Sequence, residues 1–256
     1  MRHLNLLAIA AALPFSAFAF QSDFNWSGPM IAGQNLHVKN VNGSVRAELA
    51  TGPNVEVTAH KTARHSDVSS VRIEVVPTSE GMTICSVYPG DDGTCDSGRG
   101  HHSDHDSRDN DVVVDFVVKV PAGVKFSGST VNGAMTIKGL RSDVNASNVN
   151  GNIKLETTGL AKATTVNGSI EAVMGAANWS DSLNFSTVNG SIDLTMPAST
   201  NADVHASTVS GSLTSDFQLT VNGSFEPRNM NARIGSGGRA LKLSTVNGAI
   251  SLHQGS

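Results

Sequence analysis

The densest group of side chains able to do chemistry is His101-His102-Ser103-Asp104-His105-Asp106-Ser107-Arg108-Asp109-Asn110-Asp111. Imidazoles and carboxylates together suit zinc, nickel or copper. The candidate ligands are His101, His102, Asp104, His105 and Asp106. Counted as a calcium loop from Asp104, the run fails at its fifth position, Arg108, and at its sixth, where Asp109 replaces the required glycine. A metal site also wants ligands fixed by partners behind them, and the apolar-free stretch 96–111 supplies none. The expectation is therefore a solvated loop, with metal binding as an alternative function.

Two further chemistries have candidate residues in the sequence. If repeated segments stack, Lys154 approaches Glu171 and Glu171 approaches Asp193. Glycosidases need two carboxylates at a set separation, so a polysaccharide-active enzyme is the other alternative. One adjacent pair without a positioned cationic cluster fits an ordinary polar face better. No Gly-x-Ser-x-Gly elbow is present, and His37, His60, His65, His205 and His253 are scattered. The glycines of Ile234-Gly235-Ser236-Gly237-Gly238 lack a following helix and a Walker lysine-hydroxyl pair, so they read as a turn. No catalytic residue and no cofactor is expected.

The scaffold dominates the chain. Val-Asn-Gly followed by a small polar residue and an apolar one recurs from Val41, Val131, Val149, Val166, Val188, Val209, Val221 and Val246, with Ser210 replacing Asn in the sixth copy. The recurring pairs are Asn132-Gly133, Asn150-Gly151, Asn167-Gly168, Asn189-Gly190 and Asn247-Gly248. Asn-Gly is usually a hairpin signal. A two-residue turn would set Val188 beside Ser191 and Thr187 beside Ile192, mixing polar and apolar on one face. A strand running on through the glycine keeps Val, Gly and Ile together inside. The Ser/Thr pair before each Val then becomes a corner. Successive glycines from Gly133 to Gly211 are 18, 17, 22 and 21 residues apart, a circumference suited to one solenoid coil with strands of about five residues. Stacked coils would align the asparagines in an amide ladder.

These patterns predict an all-β chain: a right-handed parallel β-solenoid, or β-helix, of Val-Asn-Gly coils over 121–256. A less regular β-rich region over 20–120 precedes it. Strands are expected at Val55 to Ala59, Val71 to Val76, Met82 to Val87 and Val112 to Val120, and an off-register one at Phe217 to Phe225. Residues 1–19 have a basic start, an apolar run from Leu4 to Ala12 and the small-x-small site Ala17-Phe18-Ala19, as in a secretory signal. The run is shorter than the roughly 20 residues a membrane span needs. A periplasmic or secreted chain without a transmembrane segment is expected, and in that setting Cys85 and Cys95 form a disulfide. The formal charge of −4 argues against a nucleic-acid partner.

The repeated Thr-Val-Asn-Gly-Ser-Ile, the Val-Pro-Ala-Gly-Val segment from Val120 and the late Ile-Gly-Ser-Gly-Gly…Leu-Ser-Thr-Val-Asn-Gly-Ala-Ile segment resemble the bacterial "putative adhesin" family of β-strand repeat proteins. The resemblance covers Asn35 to the end and is most specific from Val120. It implies a β-solenoid, a cell-envelope setting, no catalytic residues, and a non-enzymatic binding or structural module whose partner is an envelope glycan or protein.

Overall fold

The computed structural model describes residues 20–90, 95, 110–221 and 228–255. The candidate signal, the candidate metal ligands His101, His102, Asp104, His105 and Asp106, and the second half of the expected 217–225 strand lie outside them.

The first strands are β1 (Phe20–Pro29), β2 (Asn35–Lys39), β3 (Val45–Leu49), β4 (Asn54–Ala63), β5 (Arg72–Thr78), β6 (Gly81–Val87) and β7 (Val113–Val120). The central ones are β8 (Lys125–Asn132), β9 (Met135–Leu140), β10 (Val144–Asn150), β11 (Ile153–Thr157), β12 (Ala161–Thr164), β13 (Ile170–Met174), β14 (Leu183–Ser186) and β15 (Ile192–Pro197). The last are β16 (Ala202–Ser210), β17 (Leu213–Ser215), β18 (Leu219–Val221), β19 (Asn229–Ile234), β20 (Ala240–Asn247) and β21 (Ile250–Gly255). Among the described residues no helix is long and apolar enough to cross a membrane.

Each coil gives one strand to each of two sheets. The strand before an Asn-Gly lies in sheet B, ordered β18-β19-β16-β20-β14-β12-β10-β8-β2-β6-β5. The strand after it lies in sheet A, ordered β1-β4-β7-β3-β9-β11-β13-β15-β21-β17. The coil-to-coil pairings are parallel, as a solenoid requires. Inward side chains of the two sheets form one core from Leu36 to Leu252, filled mainly by Val, Ile, Leu and Ala. Both sheets run without a break across residue 120.

The order of coils departs from sequence order at both ends. The last coil, β20–β21, is inserted between β14–β15 and β16–β17. The first coil, β2–β3, is likewise inserted between β8–β9 and β6–β7. Antiparallel strands then cover three of the four sheet ends: β4 on β7, β5 on β6, β19 on β16; at the fourth, β17 lies in parallel on β21. A solenoid with bare ends would expose unpaired sheet edges. Here the first and last coils are each clamped between two others, and β1 forms the outer strand of sheet A. Successive copies therefore do not all stack as neighbours: Gly248, not Gly211, follows Gly190.

The Asn-Gly is not a hairpin, since the flanking strands lie in different sheets. The expected side-chain parity is corrected, however. The bend falls at the glycine itself, and β8, β10, β16 and β20 run straight through the pair before the valine. Ile153, Ile170, Ile192 and Ile250 are buried, but the valines face outward: Val149 38%, Val166 40%, Val188 39%, Val246 39% and Val209 62% exposed. The inward position before each valine is Thr130, Asn148, Thr165, Thr187, Thr245 or Thr208. The reason is a hydrogen bond that counting apolar groups cannot reveal. Thr187 Oγ1 donates to Gly168 O at 2.8 Å, Thr245 to Gly190 O at 2.9 Å and Thr208 to Gly248 O at 2.9 Å. Each buried hydroxyl satisfies a corner carbonyl of the neighbouring coil, so it can sit inside without the cost of an unpaired polar group.

Cys85 and Cys95 are disulfide-bonded. Asp111, at the end of the His/Asp stretch, serves an architectural role. Its carboxylate accepts from the backbone N–H groups of Ser66 (2.8 Å), His65 (3.0 Å) and Arg64 (3.1 Å). Those bonds, the Ser66 amide foremost, hold its pKa well below the usual carboxylate range.

Candidate functional site

The two outer faces differ in chemistry. On sheet A the outward rows are charged and internally paired. Lys154 Nζ meets Glu171 Oε1 at 2.6 Å, and Lys119 pairs with Glu48. Glu171 is registered against Asp193, as the stacking argument expected. Both carboxylates are engaged: Glu171 by the Lys154 ammonium and Asp193 by the His253 imidazole, whose Nε2 lies 2.9 Å from Asp193 Oδ1. His253 Nδ1 also lies 2.9 Å from Asp216 Oδ2. Because β21 is inserted between β15 and β17, this imidazole clasps the final coil to both neighbours. The hydrogen bond to Asp216, then that to Asp193, raises the His253 pKa.

Sheet B carries a repeating surface whose central rows hold no carboxylate. One outward row is Ser129-Ser147-Thr164-Ser186-Ser244-Ser207, a hydroxyl on each of six consecutive rungs. Neighbouring strands are about 4.8 Å apart, close enough for the hydroxyls to contact one another. Ser186 and Ser244 Oγ are 3.0 Å apart, and Thr164 Oγ1 donates to Ser147 Oγ at 3.4 Å. Next along each strand comes the exposed valine row. Beyond it, at the corner, runs the asparagine ladder. Asn150 Nδ2 donates to Asn132 Oδ1 at 2.9 Å; Asn167 to Asn150, Asn189 to Asn167 and Asn247 to Asn189 follow, each at 2.8 Å. Ser210, the one substitution for Asn, registers against Asn247 on the terminal rung.

On the other side of the hydroxyl row lies a second outward row: His37-Ser127-Asn145-Lys162-Asn184-Lys242-His205-Asn231. Lys162 and Asn184 are neighbours because each immediately precedes a paired residue, Ala163 and Phe185. From β2 to β19 neither this row nor the hydroxyl row contains a carboxylate. Beside it opens a groove of about 380 Å³, lined by Asn35, Lys125, Asn145, Lys162, Trp179 and Asp181 among others. Its wall is the connection 175–182, which lengthens this coil and folds Trp179 onto the sheet. Trp179 Nε1 donates to Ala240 O at 3.1 Å, so the ring is held in place. An aromatic body with amide, ammonium and carboxylate groups around it suits a polar ligand with apolar faces. The sequence did signal this feature: the 22-residue gap between Gly168 and Gly190 exceeds its predecessors of 18 and 17.

None of the residues singled out as metal ligands is within the described part of the chain. Among the described residues no group of three or more His, Cys, Asp or Glu is arranged to hold a metal ion.

A family model described as Toastrack DUF4097 matches residues 30–253. A search of curated proteins found no match. Among solved structures, a "putative cell adhesion protein" from Clostridium sporogenes is 11% identical, with 91% of this chain and 100% of that chain covered and a TM-score of 0.48. A "putative adhesin" from Bacteroides fragilis is 12% identical, with 90% and 97% covered and a TM-score of 0.35.

Proposed function

The chain belongs to the Toastrack DUF4097 family, and from that premise we propose that it is a non-enzymatic, adhesin-like binding module of the bacterial cell envelope, exported through residues 1–19. Its binding face is the outer face of sheet B, and its partner is an extended glycan. One observation carries this: six hydroxyls in register on consecutive rungs, unencumbered by ion pairs, on a molecule whose opposite face is charge-paired. A row of donor-acceptors repeating about every 4.8 Å presents a linear polymer of sugars with the same contact many times over. Single weak hydrogen bonds then add along the chain, since later contacts form at high effective concentration. The ordered backbone beneath supplies these groups with little left to immobilise.

The test is a glycan array combined with pull-down from envelope extract. The triple variant Ser147→Ala, Ser186→Ala, Ser244→Ala is compared with the sheet A variant Thr136→Ala. Glycan retention by the parent and by Thr136→Ala, with loss in the triple variant, is the expected outcome. Equal retention by all three places binding elsewhere, and no retained glycan or protein leaves a structural role only. Mass spectrometry of the exported chain should find its N-terminus near Phe20; an intact Met1 on the exported protein refutes the signal assignment.

A further inference from the structure

The row beside the hydroxyls has a period of its own. Read along the solenoid axis, it alternates amide and ammonium: Asn145, Lys162, Asn184, Lys242. On the rung before Asn145 the row position is Ser127, and Lys125 lies two residues before it, one outward position nearer the groove. Lys125, Lys162 and Lys242 thus sit on β8, β12 and β20, every second rung. Two rungs are about 9.6 Å at the usual strand spacing. At the far end His205, whose Nδ1 is 2.7 Å from Asn231 Oδ1, occupies the next position.

The nearby carboxylates do not neutralise the strip. Asp203 is held by Arg233 Nε at 3.1 Å and by the Gly238 N–H at 2.9 Å. Asp143 lies 3.9 Å from Lys125, a loose pair between half-exposed side chains. Asp181 stands on the loop across the groove. No ion pair among the described residues engages Lys162 or Lys242. On a chain of net charge −4, Lys162 and Lys242, two rungs apart in a row that holds no carboxylate, make a local reversal of sign.

We infer that the sheet B face selects an acidic linear glycan carrying one carboxylate per disaccharide, with Lys125, Lys162 and Lys242 meeting successive carboxylates and the intervening Asn145 and Asn184 meeting the uncharged sugars between them. This rests on the glycan-binding face proposed above and adds its charge pattern. A neutral glycan would leave the ammonium groups unused. A polymer with a carboxylate on every sugar would set alternate charges against amides. The groove lined by Lys125, Lys162 and the largely buried Trp179 opens at the point where the strip begins.

The experiment is isothermal calorimetry on the full exported chain with three probes: a hyaluronan decasaccharide (carboxylate on alternate sugars), chitohexaose (none) and a galacturonate hexamer (one on every sugar). Exposed ion pairs contribute modestly, so two in register with a third one outward position aside should favour hyaluronan over chitohexaose by about tenfold. Raising the ionic strength to about 1 M, where the Debye length is about 3 Å, should erase the difference. The double variant Lys162→Gln, Lys242→Gln, checked for an unchanged melting curve, should lose the preference but keep the chitohexaose affinity. Equal affinity for hyaluronan and chitohexaose overturns the charge pattern and leaves the glycan face standing. Galacturonate equal to hyaluronan also overturns it, showing an unpatterned cationic strip. Binding of none of the three removes the glycan face itself.

Discussion

Replacing Gly190 by Ala tests the corner geometry on which the fold depends. A Cβ built on Gly190 lies 2.1 Å from Gly168 O, 2.5 Å from its carbonyl carbon and 2.8 Å from Ser169 N. All three are backbone atoms of the adjacent rung, so no side chain can swing aside. Relief requires the coils to part by about an ångström where strands normally sit about 4.8 Å apart. That movement strains the bonds from Thr187 Oγ1 to Gly168 O (2.8 Å), from Gly168 N to Asn189 O (2.9 Å) and from Ile170 N to Ser191 O (2.9 Å). Such bonds contribute about 1 kcal/mol each and overpacking costs about 1–3 kcal/mol. The expected loss is about 3–5 kcal/mol. For a chain of this size that is a fall in Tm of about 10 °C, by circular dichroism. Gly52→Ala is the control, because nothing lies within 4 Å of its added Cβ; it should stay within about 0.5 kcal/mol of the parent. A third variant separates local from propagated damage. Gly211→Ala meets Gly248 O at 1.9 Å but lies on the terminal rung, so it should fray one end and lower Tm less than Gly190→Ala. A Gly190→Ala protein melting within about 2 °C of the parent refutes the close-packed corner.

Other perturbations probe the clasp, the ladder and the disulfide. His253 has a raised folded pKa, so its stabilisation is fully present below its unfolded pKa of about 6.5 and is lost as pH rises through the folded value. The Tm difference between parent and His253→Gln should be larger at pH ~6 than at pH ~9; equal differences refute the clasp. Asn167→Ala removes two ladder hydrogen bonds and Asn132→Ala one. At about 0.5–1 kcal/mol per bond, urea unfolding should rank Asn167→Ala as the more destabilised; the reverse order argues against the ladder as a stabilising element. Reducing Cys85–Cys95, which closes a separation of 10 residues, should cost at most about 3 kcal/mol in a denaturant titration. A larger loss would mean that the bond holds more than its own short loop.

Much of the architecture was legible because its causes are local. Period-two alternation around Ile153, Ile170 and Ile192 marks strands with one buried face, and a fixed glycine spacing marks coils. The valines were misplaced for an equally specific reason. Parity arguments count apolar groups, whereas the position before most of the valines is an inward threonine whose hydroxyl is satisfied by the next coil's glycine carbonyl. That partner is remote in sequence, so its presence could not be weighed from one copy alone.

Composition, repeat phrase and strand periodicity by themselves determined a solenoid of stacked Asn-Gly corners. Near-identical copies can pair with any other copy, so the order of coils was left open. Only the tertiary structure decided it, through end strands that close the stack and the insertion of the first and last coils one rung inward. That decision also writes the surface. Stacked in sequence order, Asn184 would stand beside His205 and Asp193 beside Thr214. The inserted coil instead sets Lys242 between Asn184 and His205, and His253 between the rungs of Asp193 and Asp216. A face's chemistry is the sum of neighbours across strands, and strand neighbours are fixed by how the ends close.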